Sequence, residues 1–559
     1  MAERKKSGPV FPEDTNSVQD GDIATLALLG KKQVLKRRFA FSTLFAFAVC
    51  ELITWETVLA LFSQALDNGG PAAAIYGFII AWSSTFSVYT VISELASLAP
   101  IAGGQYYWVY MLAPPRYKTV LSYLVGWLTT LAWIATVATE TLFAGLIIQG
   151  ILVLDYPDYK DKQWQGTLLT WLVIAVCIFV NTVIPAWLPR FEFFTLVFHI
   201  AGFIAILVTL LVMTPSLGTN ASVWLTVLNG GGWPTQGLSY CVGFLGNVAT
   251  FVGADASVHL AEEVSNAAAN IPRAIVGAMW INGAVGFAMM VTVLYCLGDA
   301  QTVLDSATGF PFIQVFYDSV GNIAGATVMA AVVLALTWVC AIGITTTASR
   351  MTWSFARDKG LPFSKFISKV YPRTAIPVNA VLTVTFIAAL LTLIYIGSYA
   401  AFNDVISLTI TGFYGSYLLP AALLLYHRIK GNIAPHGTEP DSLPDDNQPA
   451  SDSPPDLHGT VKTANARLIW GPWHLPGILG TINNIYACCY MVFVIFWSVW
   501  PPATPVSASS MNYSVVVTGG VLILSGIWYF LRGRKEYKGP LIDEEVAAIM
   551  RAGSIVSVS

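Results

Sequence analysis

The chain has 559 residues, of which 55% are hydrophobic and 11% charged, with a mean hydropathy of +0.64 and a formal net charge of −3. So little polar surface excludes a string of soluble domains and indicates a polytopic membrane protein. The sequence carries no nucleophile–base constellation, phosphate loop or metal-ligand spacing, so no enzyme activity, cofactor, metal or nucleic-acid partner is expected.

Residues 1–38 are hydrophilic and end in Lys36, Arg37 and Arg38. They contain no cleavable signal, and the basic cluster places this tail in the cytosol. Runs of about 20 apolar residues, enough to cross a hydrocarbon core of about 30 Å, then recur twelve times. They fall near 41–64, 72–98, 120–150, 167–188, 193–213, 238–260, 274–297, 322–348, 377–397, 403–426, 477–500 and 514–531. With alternation from a cytosolic start, all 29 Lys and Arg except Lys160 and Lys162 lie on the cytoplasmic side, as the positive-inside rule requires. The predicted fold class is an all-α polytopic membrane protein with twelve transmembrane helices, both termini cytoplasmic, in a plasma membrane.

The organisation reads as a tail (1–38), a ten-helix transport core (39–427), a cytoplasmic loop (428–475), helices eleven and twelve (476–532) and a second tail (533–559). The loop is rich in Pro, Asp and Ser and is predicted disordered, because it cannot bury enough apolar surface to fold alone. Asn220 and Asn512 open N-x-S/T triplets in outer loops and are candidate glycosylation sites, Asn512 the weaker because it borders the membrane. All seven cysteines lie within spans, so no extracellular disulfide framework is expected.

The sixth run contains Gly243, Gly246 and Gly253, with Asp255 beyond them, and is predicted to be a broken helix. In hydrocarbon an unpaired backbone group costs several kcal/mol, so a break persists only inside protein or beside a wet cavity. Span one is also polar at its middle, with Glu51, Thr54 and Glu56. Two inverted repeats of five spans, each opening with a broken helix, account for the match.

The ionisable residues inside the spans are Glu51, Glu56, Glu140 and Asp255, with His199 and His259, and no Lys or Arg accompanies them. An acid at mid-membrane costs about 2.5–3.5 kcal/mol on insertion scales. Each must therefore be protonated, hydrated, or paired with a cation supplied from outside the protein, which points to proton coupling or an amine-bearing substrate. Asp255 either caps the broken helix or contacts substrate, and Glu51 contacts substrate or a proton. Glu56 faces an outer vestibule. Glu140 and His199 are candidate proton relays, with neutral packing roles as the alternative. His259 and Glu262 mimic a metal-ligand spacing, but no further ligands converge. Trp55, Phe244 and Phe251 offer aromatic faces to a cationic amine or serve as packing. Span eight ends in Thr345, Thr346, Thr347 and Ser349. Thr346 and Thr347 are candidate Na⁺ ligands unless these hydroxyls bond back to their own helix.

Four segments carry a resemblance: Asn68–Pro71, Glu94–Trp108, Gly253–Arg273 and Ala348–Pro362. Across about residues 36–540 the chain resembles the amino acid–polyamine–organocation permeases, specifically the fungal amino acid/choline/GABA branch. The resemblance implies a leucine-transporter-type fold, in which ten helices form two inverted repeats and two more follow. It also implies that substrate lies between broken spans one and six and helices three and eight. In that family backbone groups at the breaks hold the substrate's carboxylate and amine; here the breaks fall near Val49–Thr54 and Gly253–Asp255. One departure stands out. Many such permeases have a glycine-rich break in span one, and this chain has Ala48–Thr54 with Glu51 inside it, which disfavours a substrate carboxylate.

The sequence thus describes a secondary active transporter, a proton symporter or a Na⁺-coupled one, of a small nitrogenous compound such as an amino acid, GABA or choline. A polyamine or alkaloid transporter is the alternative, and a transporter-like nutrient sensor is the alternative of another class. The substrate- or proton-binding set is Glu51, Thr54, Trp55, Phe251, Gly253 and Asp255. Beyond substrate, coupling ion and lipid bilayer, no partner or oligomeric state is legible.

Overall fold

The computed structural model describes residues 22, 25–27, 29–372, 375–397, 401–438, 468–508 and 510–541. Residues 1–21, 439–467 and 542–559, which include most of the loop expected to be disordered, lie outside that set.

Among the described residues, eleven helices are long and apolar enough to cross a membrane. They are span one (Phe41–Asp67), two (Gly70–Leu98), three (Lys118–Asp155), four (Gln163–Val183), five (Pro185–Met213), seven (Ala267–Tyr295), eight (Ile323–Arg357), nine (Val378–Gly397), ten (Asn403–Ile429), eleven (Gly477–Trp497) and twelve (Ser514–Glu536). The remaining expected span, the sixth, is divided into helices Gln236–Ala249 and Ala256–His259. Neither is long enough to cross alone.

Burial sorts the spans into an inner and an outer layer. Span one is 89% buried over its most apolar window, whereas span five is 22% and span twelve 17% buried, at mean hydropathies of 2.7 and 1.9. Helices this apolar and this exposed are stable against lipid rather than water. Phe194, Val212, Ile523 and Leu531 are exposed on those outer faces. Span three packs against spans eight and ten, and span one against five, seven and the sixth segment.

Two expectations are corrected. Gly243 and Gly246 do not break the sixth segment, because its helix continues through both to Ala249. They are contact glycines: a Cβ on Gly243 would lie 2.3 Å from the Asn68 carbonyl oxygen, and one on Gly246 would crowd Gln64 and Ala65. The ends of the 428–475 loop are also ordered. Ile433–Ala434 pairs in parallel with Leu468–Ile469, and the Leu475 and Trp473 amides donate to Glu94 Oε1 (2.8 Å) and Ser97 Oγ (2.9 Å) on span two. Docking on span two orders what the segment's composition alone would not.

Candidate transport site

Span one is interrupted at Ile53, which has φ 30° and ψ 48° between helices Phe41–Leu52 and Thr54–Asp67. A β-branched residue in this left-handed region is strained by about 1–2 kcal/mol, so the surroundings must hold it. Asn282 of span seven does so. Its Oδ1 accepts the Thr54 amide (3.2 Å), and its Nδ2 donates to the Val49 carbonyl (3.1 Å) across the interruption.

The sixth segment leaves the helix over residues 250–255, where Gly253 has φ 104°. Only glycine adopts this conformation without penalty. The freed amides of Gly253 and Ala254 donate to the Tyr89 hydroxyl oxygen of span two, at 3.0 and 3.2 Å. The two interruptions touch, since Thr54 Oγ1 donates to the Thr250 carbonyl at 3.0 Å. Phe251 beside them is buried against Phe78, ring centroids 5.0 Å apart.

Glu51 sits in the last turn of Phe41–Leu52, buried, with neither carboxylate oxygen partnered. Its neighbouring carboxyls are Glu192 of span five and Glu140 of span three. The carbonyls exposed at the end of a half-helix carry partial negative charge, so backbone and side chain together favour a cation here. Trp55 is fully buried with Nε1 unpartnered, its ring 5.8 Å from His199. His199 Nδ1 lies 2.7 Å from Glu56 Oε1. Glu56 is thus buried and paired with His199, rather than facing an open vestibule.

Asp255 is placed differently from Glu51. Its Oδ2 takes the Gln105 amide at 2.6 Å and lies 3.3 Å from His259 Nε2, while Tyr417 donates to Oδ1 at 2.5 Å. It makes no side-chain cap to helix Ala256–His259. His259 Nδ1 meets the Ala102 carbonyl at 2.8 Å, so the two ring nitrogens face a carbonyl and a carboxyl oxygen. Asp255 anchors the sixth segment to the loop after span two and to span ten.

On span eight, Thr345 donates to the Ala341 carbonyl, Thr346 to Asn181 Oδ1 and Ile342, and Ser349 to Thr346. The Thr347 hydroxyl alone of the four is buried and unpartnered. Phe244 packs on Phe493 and Tyr490 of span eleven, away from the interruptions. Asn220 is exposed, its Oδ1 accepting from Tyr295. Asn512 is buried, and its Nδ2, the atom a glycan would occupy, lies within 3.1 Å of Ser407 Oγ and the Ser498 and Trp500 carbonyls. That placement opposes the expectation of a glycan at Asn512.

A family model described as amino acid permease matches residues 39–521. The chain belongs to the amino acid permease family. It is 30% identical to an uncharacterized amino-acid permease of Schizosaccharomyces pombe, over 95% of this chain and 91% of the relative. It is 29% identical to a choline transporter of Saccharomyces cerevisiae, over 87% and 79% of the two chains. A GABA-specific permease of the same yeast is 26% identical over 98% and 91%. The permease is accordingly a secondary transporter of small nitrogenous compounds and not an enzyme.

Where residues 31–39 and Leu541 pack on the helices, ion pairs join the residues before span one, and the sixth segment, to the end of span eight. The Arg38 and Phe39 amides donate to the Glu263 carbonyl, whose side chain pairs with Arg350 at 2.7 Å. Arg357 forks onto Glu262 at 2.6 and 3.0 Å. Lys31 pairs with the buried Asp358, which also accepts from Tyr106 (2.7 Å) and the Leu541 amide (3.0 Å). Sequence reading singled out none of Asn282, Tyr89, Glu192 or Asp358. A polar or acidic residue within or beside an apolar run was the available signal, and it names no partner.

Proposed function

We propose that the permease imports a small cationic or amine-bearing compound together with a proton across the plasma membrane. Its twelve crossings form two inverted five-helix repeats plus two helices, with the tail end in the cytosol. Substrate binds where the two interruptions meet, with Glu51 facing its cationic group, Thr54 and Gly253 shaping the backbone around it, and Trp55 and Phe251 as aromatic walls. Asp255 secures the gate beneath.

One observation carries this reading: the interruptions are in contact through Thr54 and Thr250, with the partnerless carboxyl of Glu51 beside them. The choline transporter and the GABA-specific permease among its relatives supply the first compounds to try. Labelled choline, GABA, putrescine and several amino acids are offered to transporter-deficient yeast expressing the permease, at two external pH values and with a protonophore. Accumulation that rises at acidic pH and collapses with the protonophore is expected for at least one compound. Accumulation of none of them overturns the import reading, and Glu51→Gln with unaltered uptake and pH dependence overturns the role of Glu51.

A further inference from the structure

Glu192 lies in the second turn of helix Leu188–Met213, 1% exposed, with both carboxylate oxygens unpartnered. Glu51, 3% exposed, shares that condition. The two side chains converge on Gly343 of span eight: a Cβ built there would stand 1.8 Å from Glu51 Oε1 and 3.4 Å from Glu192 Oε1. The two oxygens are therefore separated by no more than the sum of those distances, and the missing side chain is what gives them room.

The titratable groups around this pair supply no positive charge to spare. They are Cys50 and Glu56 on span one, Glu140 on span three, His199 on span five and Cys340 on span eight, with Asp255 and His259 on the sixth segment. His199 is engaged by Glu56, and His259 by Asp255. Among the described residues no Lys or Arg forms an ion pair with any of these carboxyls. Two buried carboxylates this close each disfavour ionisation of the other.

We propose that Glu51 and Glu192 share one proton across Gly343, and that the single negative charge left on the pair receives a monocationic ammonium group. This rests on the proton-coupled import proposed above and narrows its substrate class. With the proton shared and one ammonium bound the two carboxyls carry no net charge, whereas either cation alone leaves one negative charge uncompensated, so proton and monocation occupy the site together and both leave when the site opens to water. A zwitterion's carboxylate meets repulsion at this position.

The test uses the full-length permease in proteoliposomes, with membrane potential clamped and a pH gradient imposed, and labelled choline, GABA and putrescine as probes. Wild type accumulates choline in response to the pH gradient. Glu51→Gln and Glu192→Gln each keep one carboxylate; they still exchange choline, more slowly, while gradient-driven accumulation falls to an inside-to-outside ratio of about one. The double variant exchanges no choline. Glu192→Gln responding to the gradient as wild type does overturns the shared proton. Wild type that takes up a probe without responding to the gradient instead sinks proton coupling itself.

A measurement on wild type alone guards against misfolded variants. Dicyclohexylcarbodiimide adds to protonated carboxyls in apolar surroundings, and peptide mass spectrometry then locates the adduct. One adduct per molecule, on Glu51 or Glu192, reduced by choline, is expected at neutral pH. Absence of label from both residues overturns the proposal.

Discussion

The hydroxyl of Thr54 donates to the carbonyl of Thr250 across 196 positions of sequence, at 3.0 Å. One hydrogen bond thus joins the interruption of span one to that of the sixth segment. Each interruption frees backbone groups that lipid cannot satisfy; here one supplies an acceptor that the other's side chain fills.

Replacing Thr54 by Val keeps the shape and removes that donor, leaving the Thr250 carbonyl buried without it. A loss of about 1–3 kcal/mol is expected for such a group. The purified variant should melt at a lower temperature than wild type and transport more slowly at equal surface expression. Unchanged melting and uptake would show that the contact contributes nothing.

Asn282 presents a larger case, because it serves both sides of Ile53 at once. Asn282→Leu strips the buried Thr54 amide and the Val49 carbonyl of their Asn282 partners, at about 1–3 kcal/mol for each group. Transport is expected to be lost, with melting lowered further than in Thr54→Val. Asn282→Asp keeps the acceptor and should retain more stability than Leu. A Leu variant that transports normally contradicts the bracing role.

Much of this architecture is legible in the sequence because hydrophobic run length is a local property. The interruption of span one at Ile53 lies inside the expected Val49–Thr54, and Gly253 marks the other. The failures are equally physical. Gly243 and Gly246 signal close approach of Asn68 and Gln64 as readily as a break, and sequence does not separate the two uses of a missing Cβ. Glu192 lies one residue before the expected 193–213 run, whereas proline is tolerated in a helix's first turn, so the helix starts at Leu188 and includes it. Asn282 looks like any polar residue in a span, since its partner Thr54 is 228 positions away.

The two sequons separate cleanly on burial. Asn220 is exposed, whereas Asn512 holds its amide nitrogen among three acceptors. In the yeast-expressed permease, Asn220→Gln is expected to abolish any glycosidase-sensitive shift in gel mobility, and Asn512→Gln to leave that shift intact while lowering thermal stability. A shift that survives Asn220→Gln and vanishes with Asn512→Gln reverses the assignment.

The last prediction concerns Asp358, where the two tails meet. Its carboxylate receives Lys31, Tyr106 and the Leu541 amide. Burial, and then Asp358 itself, pushes the Tyr106 hydroxyl above its ordinary range, so Tyr106 remains a donor at every physiological pH. Asp358→Asn removes the charge that faces Lys31 but keeps an acceptor, and removing one charge of a buried ion pair costs about 3–5 kcal/mol. That energy should be withdrawn from the tail end rather than from the whole fold, because the neighbouring Arg350–Glu263 and Arg357–Glu262 pairs are untouched. Hydrogen exchange read by mass spectrometry should accelerate at least about a hundredfold over residues 29–39 and 260–265, with spans three and ten unchanged. Lys31→Met paired with Asp358→Asn removes both members of the pair and should recover part of that protection. Equal exchange in Asp358→Asn and wild type would mean that the tail end is held by the arginine pairs alone.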